Sequence, residues 1–382
     1  MTNHSGSRAS DRTGSSSTSC LLIAGLLALA VPSLSEAADL DVALRGAPPD
    51  GTLVFQIYDD ADAFGRVRDP ARETVLAAQG DGEYVLRDVE AGEIAVLVYV
   101  DENGNGVLDR NFIGIPRESI GISNDYRPKG PPSFDRASFR IDGNTSIDIE
   151  LFRVLGERGR IGVGLGAIGR SSPYLGSTES VYQLIPTIAY VGDRLQWLGP
   201  EITLGLAGSD RARLALGASY RIGSYEADDS PFLADLGDRE STLLLGPGLE
   251  FDLPRGFELK AAYRHDALDR IGGGIAELAL SRGFQAGIVR FSPELSLSWT
   301  SSDISNHEFG VPEEASSQDR PAYAPGAATT LGLGVSGVGE LTEDWRAFLS
   351  LTGELLDSKV RRSPIVEGDT VFSGFVALTY SF

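Results

Sequence analysis

An all-β chain whose second half closes as a transmembrane antiparallel barrel, preceded by a small β-sandwich, is the fold class that this sequence predicts. Three observations predict it. From Thr370 to Phe382 the side chains alternate: Phe372, Val376, Leu378, Tyr380 and Phe382 share one face with Gly374, while Ser373, Ala377, Thr379 and Ser381 share the other. A strand reads this way when one side meets lipid and the other a lumen, because successive side chains point to opposite faces. No stretch beyond the first forty residues reaches the ~20 consecutive apolar residues of a membrane helix, so strands are the available way across a bilayer. Third, the chain opens with a leader pattern: Arg8 and Arg12 precede an apolar run from Cys20 to Val31 that is too short to span. Pro32 and the small residues of Ser35-Glu36-Ala37 follow, which predicts cleavage after Ala37, with the next bond as the alternative.

The only cysteine, Cys20, falls inside that leader, residues 1–37, and lacks the small-residue context of a lipoprotein signal. The processed chain therefore has no thiol, disulfide or cysteine-based metal site. A net charge of −21 argues against nucleic acid as a partner, since nothing neutralises phosphates. Acidic clusters such as Glu226-Ala227-Asp228-Asp229 and Glu313-Glu314 sit in expected loops. They read first as solvated loop charge, and second as bridges to lipopolysaccharide through divalent cations.

Residues 38–153 read as a compact antiparallel β-sandwich domain. Thr52 to Tyr58, Glu83 to Arg87, Ile94 to Val100, Ala137 to Ile141 and Ser146 to Leu151 are β-rich runs separated by Gly, Pro and Asp turns. The run from Glu93 to Val100 is apolar almost throughout, which predicts a central strand. It empties into Asp101-Glu102-Asn103-Gly104-Asn105-Gly106-Val107-Leu108-Asp109. Oxygen side chains at Asp101, Asn103, Asn105 and Asp109, the main chain of Val107 and the glycine at the sixth place match the start of an EF-hand calcium loop. The twelfth place is Phe112, so the bidentate Glu is missing and calcium affinity depends on a distant carboxylate. The alternative is an Asx-rich turn that bonds its own backbone. This loop, with Gly114-Ile115-Pro116-Arg117-Glu118, Gly121-Ile122-Ser123-Asn124 and Pro132-Ser133-Phe134, resembles a family of secreted bacterial β domains of unknown function. The resemblance implies a fold and no activity.

Longer strands begin at Gly159 and fill residues 159–382. Phe257, Leu259, Ala261 and Tyr263 alternate with Glu258, Lys260, Ala262 and Arg264; Val289, Phe291, Pro293, Leu295, Leu297 and Trp299 alternate with Arg290, Ser292, Glu294, Ser296 and Ser298. Leu214, Leu216, Ala218 and Tyr220 do the same against Arg213, Gly217, Ser219 and Arg221. The apolar face carries no charge and the other carries both signs, which favours a lipid-facing barrel over a two-sheet sandwich. Eleven segments are periodic, and the alternation changes phase at Leu198-Gly199-Pro200. A turn there gives twelve strands, with Gly223 to Glu240 and Asp303 to Pro325 on one side; a bulge there would leave ten.

Asp229-Ser230-Pro231-Phe232-Leu233 with Leu236-Gly237-Asp238, then Pro321-Ala322-Tyr323 before Gly326, then Ser363-Pro364-Ile365-Val366, recur in an order that resembles the MipA/OmpV family of outer-membrane proteins. The terminal Tyr380-Ser381-Phe382 resembles the end signal of bacterial outer-membrane barrels. The resemblance implies the outer membrane of a Gram-negative bacterium and a scaffold role that holds a murein-cleaving enzyme near a murein synthase. An even strand number puts both barrel ends, and so the amino-terminal domain, in the periplasm.

Nothing in the sequence supports an enzyme. Of the three histidines, His4 is in the leader and His307 in a long loop, and His265 beside Asp266 sits at a strand end where the two side chains point to opposite faces. Arg213, Arg221, Glu250, Glu258, Lys260, Arg264, Arg290, Glu294, Arg346 and Glu354 are expected to point into the lumen, where they line a narrow pore or, by pairing, close it. Trp197, Trp299 and Trp345, with Tyr182, Tyr190, Tyr220 and Tyr263, are candidates for interfacial belts or lumen filling. The function expected is a non-enzymatic scaffold for murein-active enzymes; a small-solute channel and an adhesin using the Asp303 to Pro325 loop are the alternatives.

Overall fold

The computed structural model describes residues 37–382 apart from 113, 156–158, 178–179 and 210. The expected leader lies outside the described residues except for Ala37.

The amino-terminal module packs a three-stranded sheet (Ala38–Arg45, Gly82–Val89, Thr145–Glu150) on a larger one built around Thr52–Tyr58 and Gly92–Asp101. The apolar run foreseen as central is buried on both faces. Ile94, Val96 and Val98 join Leu40, Phe55 and Leu86 between the sheets. Ala95, Leu97 and Tyr99 face a second core covered by the helix Ala61–Arg66 and the short helix Phe134–Ala137. Two details depart from the expected antiparallel sandwich. Ala38–Arg45 and Thr145–Glu150, the first and the last strand of the smaller sheet, pair in parallel. Ala137 ends a helical turn, so that strand begins only at Phe139. The helix Ala61–Arg66 starts where the Asp60 carboxylate accepts from the Ala63 N–H at 2.8 Å. It stops at Val67, which adopts the left-handed conformation, φ 51°.

The carboxyl-terminal part closes as twelve antiparallel strands. In order they are Arg160–Arg170, Val181–Val191, Leu195–Leu198, Glu201–Gly208, Ala212–Arg221, Thr242–Asp252, Phe257–Asp266, Gly274–Arg282, Val289–Thr300, Ala328–Glu340, Trp345–Leu355 and Thr370–Ser381. The last pairs with the first. Phe284–Ala286 continues the eighth strand past Gly283 and pairs with Val289–Phe291 across a turn. Gly199 and Pro200 form a turn between the third and fourth strands, which decides for twelve over ten. Five short turns lie at the module end, and the long segments 222–241, 301–327 and 356–369 lie at the other.

The wall is apolar outward. Leu333, Leu165 and Phe372 are 70%, 73% and 63% exposed, whereas Ala377, Thr379 and Ser381, on the opposite face of the last strand, are buried. All ten charged residues foreseen for the lumen occupy inward positions in the strand register. Tyr190, Trp197 and Trp345 lie towards the module end, where Tyr380 packs edge-to-face on both Trp345 and Phe382. Tyr182, Tyr220, Tyr263 and Trp299 lie towards the loop end. The aromatic residues thus divide into two belts, one at each rim.

Candidate functional site

Both mouths of the barrel are occupied by the chain itself. At the short-turn end the occupant is the module. Asp62 in its first helix accepts from the Gln285 N–H at 3.0 Å, Gly65 lies against Arg290 and Gln285, and Arg68 reaches Asp252 at 2.9 Å. The segment after the Asp101–Asp109 loop makes a second contact: Asn111 donates to the Gly192 carbonyl at 3.0 Å, and Arg117 grips the Asp193 carboxylate with two nitrogens, both at 2.9 Å. Between them the Phe112 ring lies over Gly205, where any Cβ would collide with it, 2.1 Å from Cγ. Gly205 faces inward between the outward Leu204 and Leu206, so Phe112 is a wedge in the mouth. A third contact centres on Glu340, which accepts from the Tyr126 hydroxyl at 3.0 Å and the Lys129 N–H at 2.9 Å, while Lys129 Nζ meets Asp344 at 2.6 Å.

At the far end the plug is apolar. Tyr174, Tyr225, Leu233, Phe309, Val360 and Ile365 form a core contributed mainly by the loops, with Tyr174 and Tyr225 edge-to-face at 4.6 Å. The helix Ser302–Phe309 turns inward and lowers Glu308 into the lumen, where its carboxylate meets Arg221 at 2.6 Å and Arg170 at 3.5 Å. Burial by itself would raise the Glu308 carboxyl; the two guanidinium groups outweigh it and hold the carboxyl well below its ordinary range. This trio borders a cavity of about 250 Å³ that is also lined by Arg264, Glu277 and Glu354, by serine and threonine hydroxyls such as Ser219 and Ser305, and by apolar groups. Other inward charges pair across strands, Arg213 with Glu250 at 3.4 Å and with Asp252 at 2.7 Å. Arg170 and Glu308 were not foreseen. Arg170 shares the inward phase of Arg160, but a loop residue such as Glu308 gives no periodic signal.

The side chains foreseen as ligands in the Asp101–Asp109 loop bond the loop's own backbone, as the Asx-rich alternative expects, and no cluster of three or more acidic, His or Cys side chains placed to hold a metal occurs among the described residues. Asp101 accepts from the Asn105 and Gly106 N–H groups at 3.1 and 2.9 Å, Asn103 and Asn105 close Asx turns, and both of their amides reach the Asp109 carboxylate. Val107 is exposed beside them. Glu118 lies under the loop, 3% exposed, bridging the N–H groups of Glu102 and Asp109 at 2.9 and 3.0 Å. Burial pushes its carboxyl above the usual range.

His265 and Asp266 do not meet. His265 Nδ1 lies 3.2 Å from the Tyr263 hydroxyl on the outer face, while buried Asp266 accepts from Thr242 and from the Leu268, Ile271 and Gly272 N–H groups of the adjoining loop.

Comparison with known proteins matches residues 163–382 to the family described as MltA-interacting protein MipA. The chain belongs to the MipA family. Residues 46–148 match a second family, an uncharacterized protein conserved in bacteria. Outer membrane protein Omp26La of Vibrio anguillarum is 25% identical over 57% of this chain and 85% of its own length. OmpV of Vibrio cholerae is 25% identical over 43% and 65%. Among solved structures, the NanC porin aligns with 57% of this chain and 98% of its own at 10% identity and a TM-score of 0.29. A loop-deleted OmpT of Vibrio cholerae aligns with 90% and 97% at 7% identity and 0.24. The strand order stands without these two alignments. On family membership and strand order together, the chain is an outer-membrane barrel. The motifs that carried the resemblance to MipA build the loop plug: Ser230 Oγ donates to the Leu175 carbonyl at 2.7 Å, Ser363 Oγ to Phe309 at 2.6 Å and the Tyr323 hydroxyl to Lys359 at 2.8 Å, with Leu233, Leu236 and Ile365 in the core.

Proposed function

We propose that this MipA-family barrel is a non-enzymatic anchor, plugged at both ends, that holds its module at the periplasmic face as a docking platform for murein-active enzymes. The observation that carries the reading is the module seated across the short-turn mouth, at the end where both barrel termini emerge. A conduit would keep one path open; here Phe112 and the loop core stand in the two mouths. The segment 301–327 also spends its residues inward, Arg320 donating to the Phe232, Ala234 and Ala315 carbonyls, which speaks against a loop extended for adhesion. The family's description as an MltA-interacting protein supplies the partner class.

Crosslinking from the module in intact envelopes tests this. Recovery of murein hydrolases or synthases is expected; recovery of host ligands through the loops would replace the scaffold with an adhesin. Steady ion conductance of the purified chain in planar bilayers would replace it with a channel. A second reading concerns calcium. Convergence of Asp101, Asn103, Asn105 and Asp109 above the buried Glu118 supports an ion held by these residues and the Val107 carbonyl. An ion there would brace the segment that carries Phe112 and Arg117. Calorimetry of the full chain should give calcium heat that Asp101→Ala abolishes; no heat in the unaltered chain removes the proposal.

A further inference from the structure

The barrel wall has a notch. The third strand, Leu195–Leu198, covers only the last residues of its neighbour, pairing Leu198 with Ala189, and the hairpin then turns back at Gly199. Among the described residues, no strand lies on that side of residues 181–188 of the second strand. Only the Gly199 N–H reaches past the pairing, to the Ile188 carbonyl at 3.1 Å. In an antiparallel ladder every second residue presents its N–H and C=O to the same side. Pro186, Leu184 and Tyr182 therefore aim their backbone groups at the gap. Pro186 has no N–H to leave unmet and blunts the edge against a further strand. Exposure agrees: Tyr182 and Leu184 are 80% and 78% exposed, and Gln183, although inward in register beside Ile168, is exposed too. Across the gap the only described bond is from the Tyr220 hydroxyl to Gln183 Oε1 at 3.3 Å.

Directly behind the notch is the cavity of about 250 Å³, which Ile168 borders on one side and Ser219 and Tyr220 on the other. Two buried donors that line it, Arg264 Nε and Ser305 Oγ, have no partner among the described residues. Its charged lining is three arginines, Arg170, Arg221 and Arg264, against three glutamates, Glu277, Glu308 and Glu354.

We propose that the notch is a side portal through which a monoacyl zwitterionic lipid enters from the bilayer, its head group in the cavity and its chain along Leu184 and Tyr182. Unmet donors call for an acceptor-bearing head, such as a phosphodiester. A lining whose charges cancel selects a head that is neutral overall. Below the rim belt of Tyr182 and Tyr220, from Leu184 to Pro186, the opening faces hydrocarbon, where bare backbone groups are costly, so the edge is favoured with an occupant. The exposed strip of Leu184 and Tyr182 belongs to a single strand, and one chain lies along it.

The test uses the full chain in phosphatidylcholine vesicles with a monoacyl phosphocholine bearing a diazirine next to its head group. Adducts are expected on the inward residues Ile168, Gln183 and Ser219, falling several-fold in Ile168→Trp and in Ser219→Trp, each retaining the heat-modifiable gel mobility of a folded barrel. A monoacyl phosphate of the same length should label these positions less. Adducts confined to outward residues such as Leu204, Leu295 and Leu333 in the unaltered chain would overturn the portal. So would equal competition by chainless glycerophosphocholine, which would place the source in solution, or crosslinks joining two copies through residues 182–186.

Discussion

The strand Gly92–Asp101 of the module and the strand Thr370–Ser381 of the barrel obey the same geometry with opposite results. The first buries both faces, from Ile94 to Asp101, between two apolar cores; the second turns Phe372 and Val376 outward and keeps Thr379 and Ser381 buried. Apolar surface goes wherever water is absent. In the module that is the interior, and in the barrel it is the outside, so the barrel interior is held by ion pairs and by chain inserted from its two ends. The two domains of one polypeptide are therefore expected to fail by different routes.

The comparison breaks most sharply at single sites. Phe55→Ala, in the core between the module's sheets, is expected to cost about 3–5 kcal/mol. In denaturant titration it should unfold the module while the heat-modifiable gel shift of the barrel persists; joint loss would show that the two do not fail separately. Glu308→Gln should cost a similar ~3–5 kcal/mol, because it strips Arg170 and Arg221 of a buried counter-charge. Faster proteolysis within 301–327 at unchanged module stability is the expected readout. Since the folded Glu308 carboxyl lies below its unfolded value, its contribution is complete above the ordinary carboxylate range and fades as pH falls through the folded value. Protection of the loop should therefore hold at neutral pH and be lost in strong acid, and Glu308→Gln should flatten that dependence.

Leu333→Arg sharpens the contrast from the outside. At this mid-strand position it should cost about 2–4 kcal/mol in refolding into vesicles and leave the stability of the module unchanged. The smallest effect belongs to the docking rim. Arg117 and Asp193 are both about half exposed, and Arg117→Ala should cost no more than about 1 kcal/mol. Phe112→Ala should loosen the module more than Arg117→Ala does, seen as faster cleavage between residues 153 and 159. Equal effects would deny Phe112 its role as a wedge.

Much of the barrel was legible because alternation is local. Each strand carries its own record of which face meets lipid, so Leu214, Leu259, Leu297 and Phe372 could be assigned outward one strand at a time. The phase change at Leu198-Gly199-Pro200 marked a turn, again from neighbouring residues. The parallel pairing of Ala38–Arg45 with Thr145–Glu150 was not legible, because partners a hundred residues apart leave no mark on either segment. Glu308 in a loop helix and the open edge at 181–188 escaped for the same reason. Phe112 was noticed only as the residue standing where a calcium loop would have Glu.

Amino-acid order by itself determined the strand periodicity, the sidedness of the wall, the twelve-strand count once Gly199 is taken as a turn, and the oxygen-rich loop, since all of these depend on neighbours within a few residues. Only the tertiary structure decided that Phe112 enters the barrel, that Glu308 joins Arg170 and Arg221, and that a short hairpin leaves a gap in the wall. Those features require distant segments to meet, and the closed circle of strands is what brings them together.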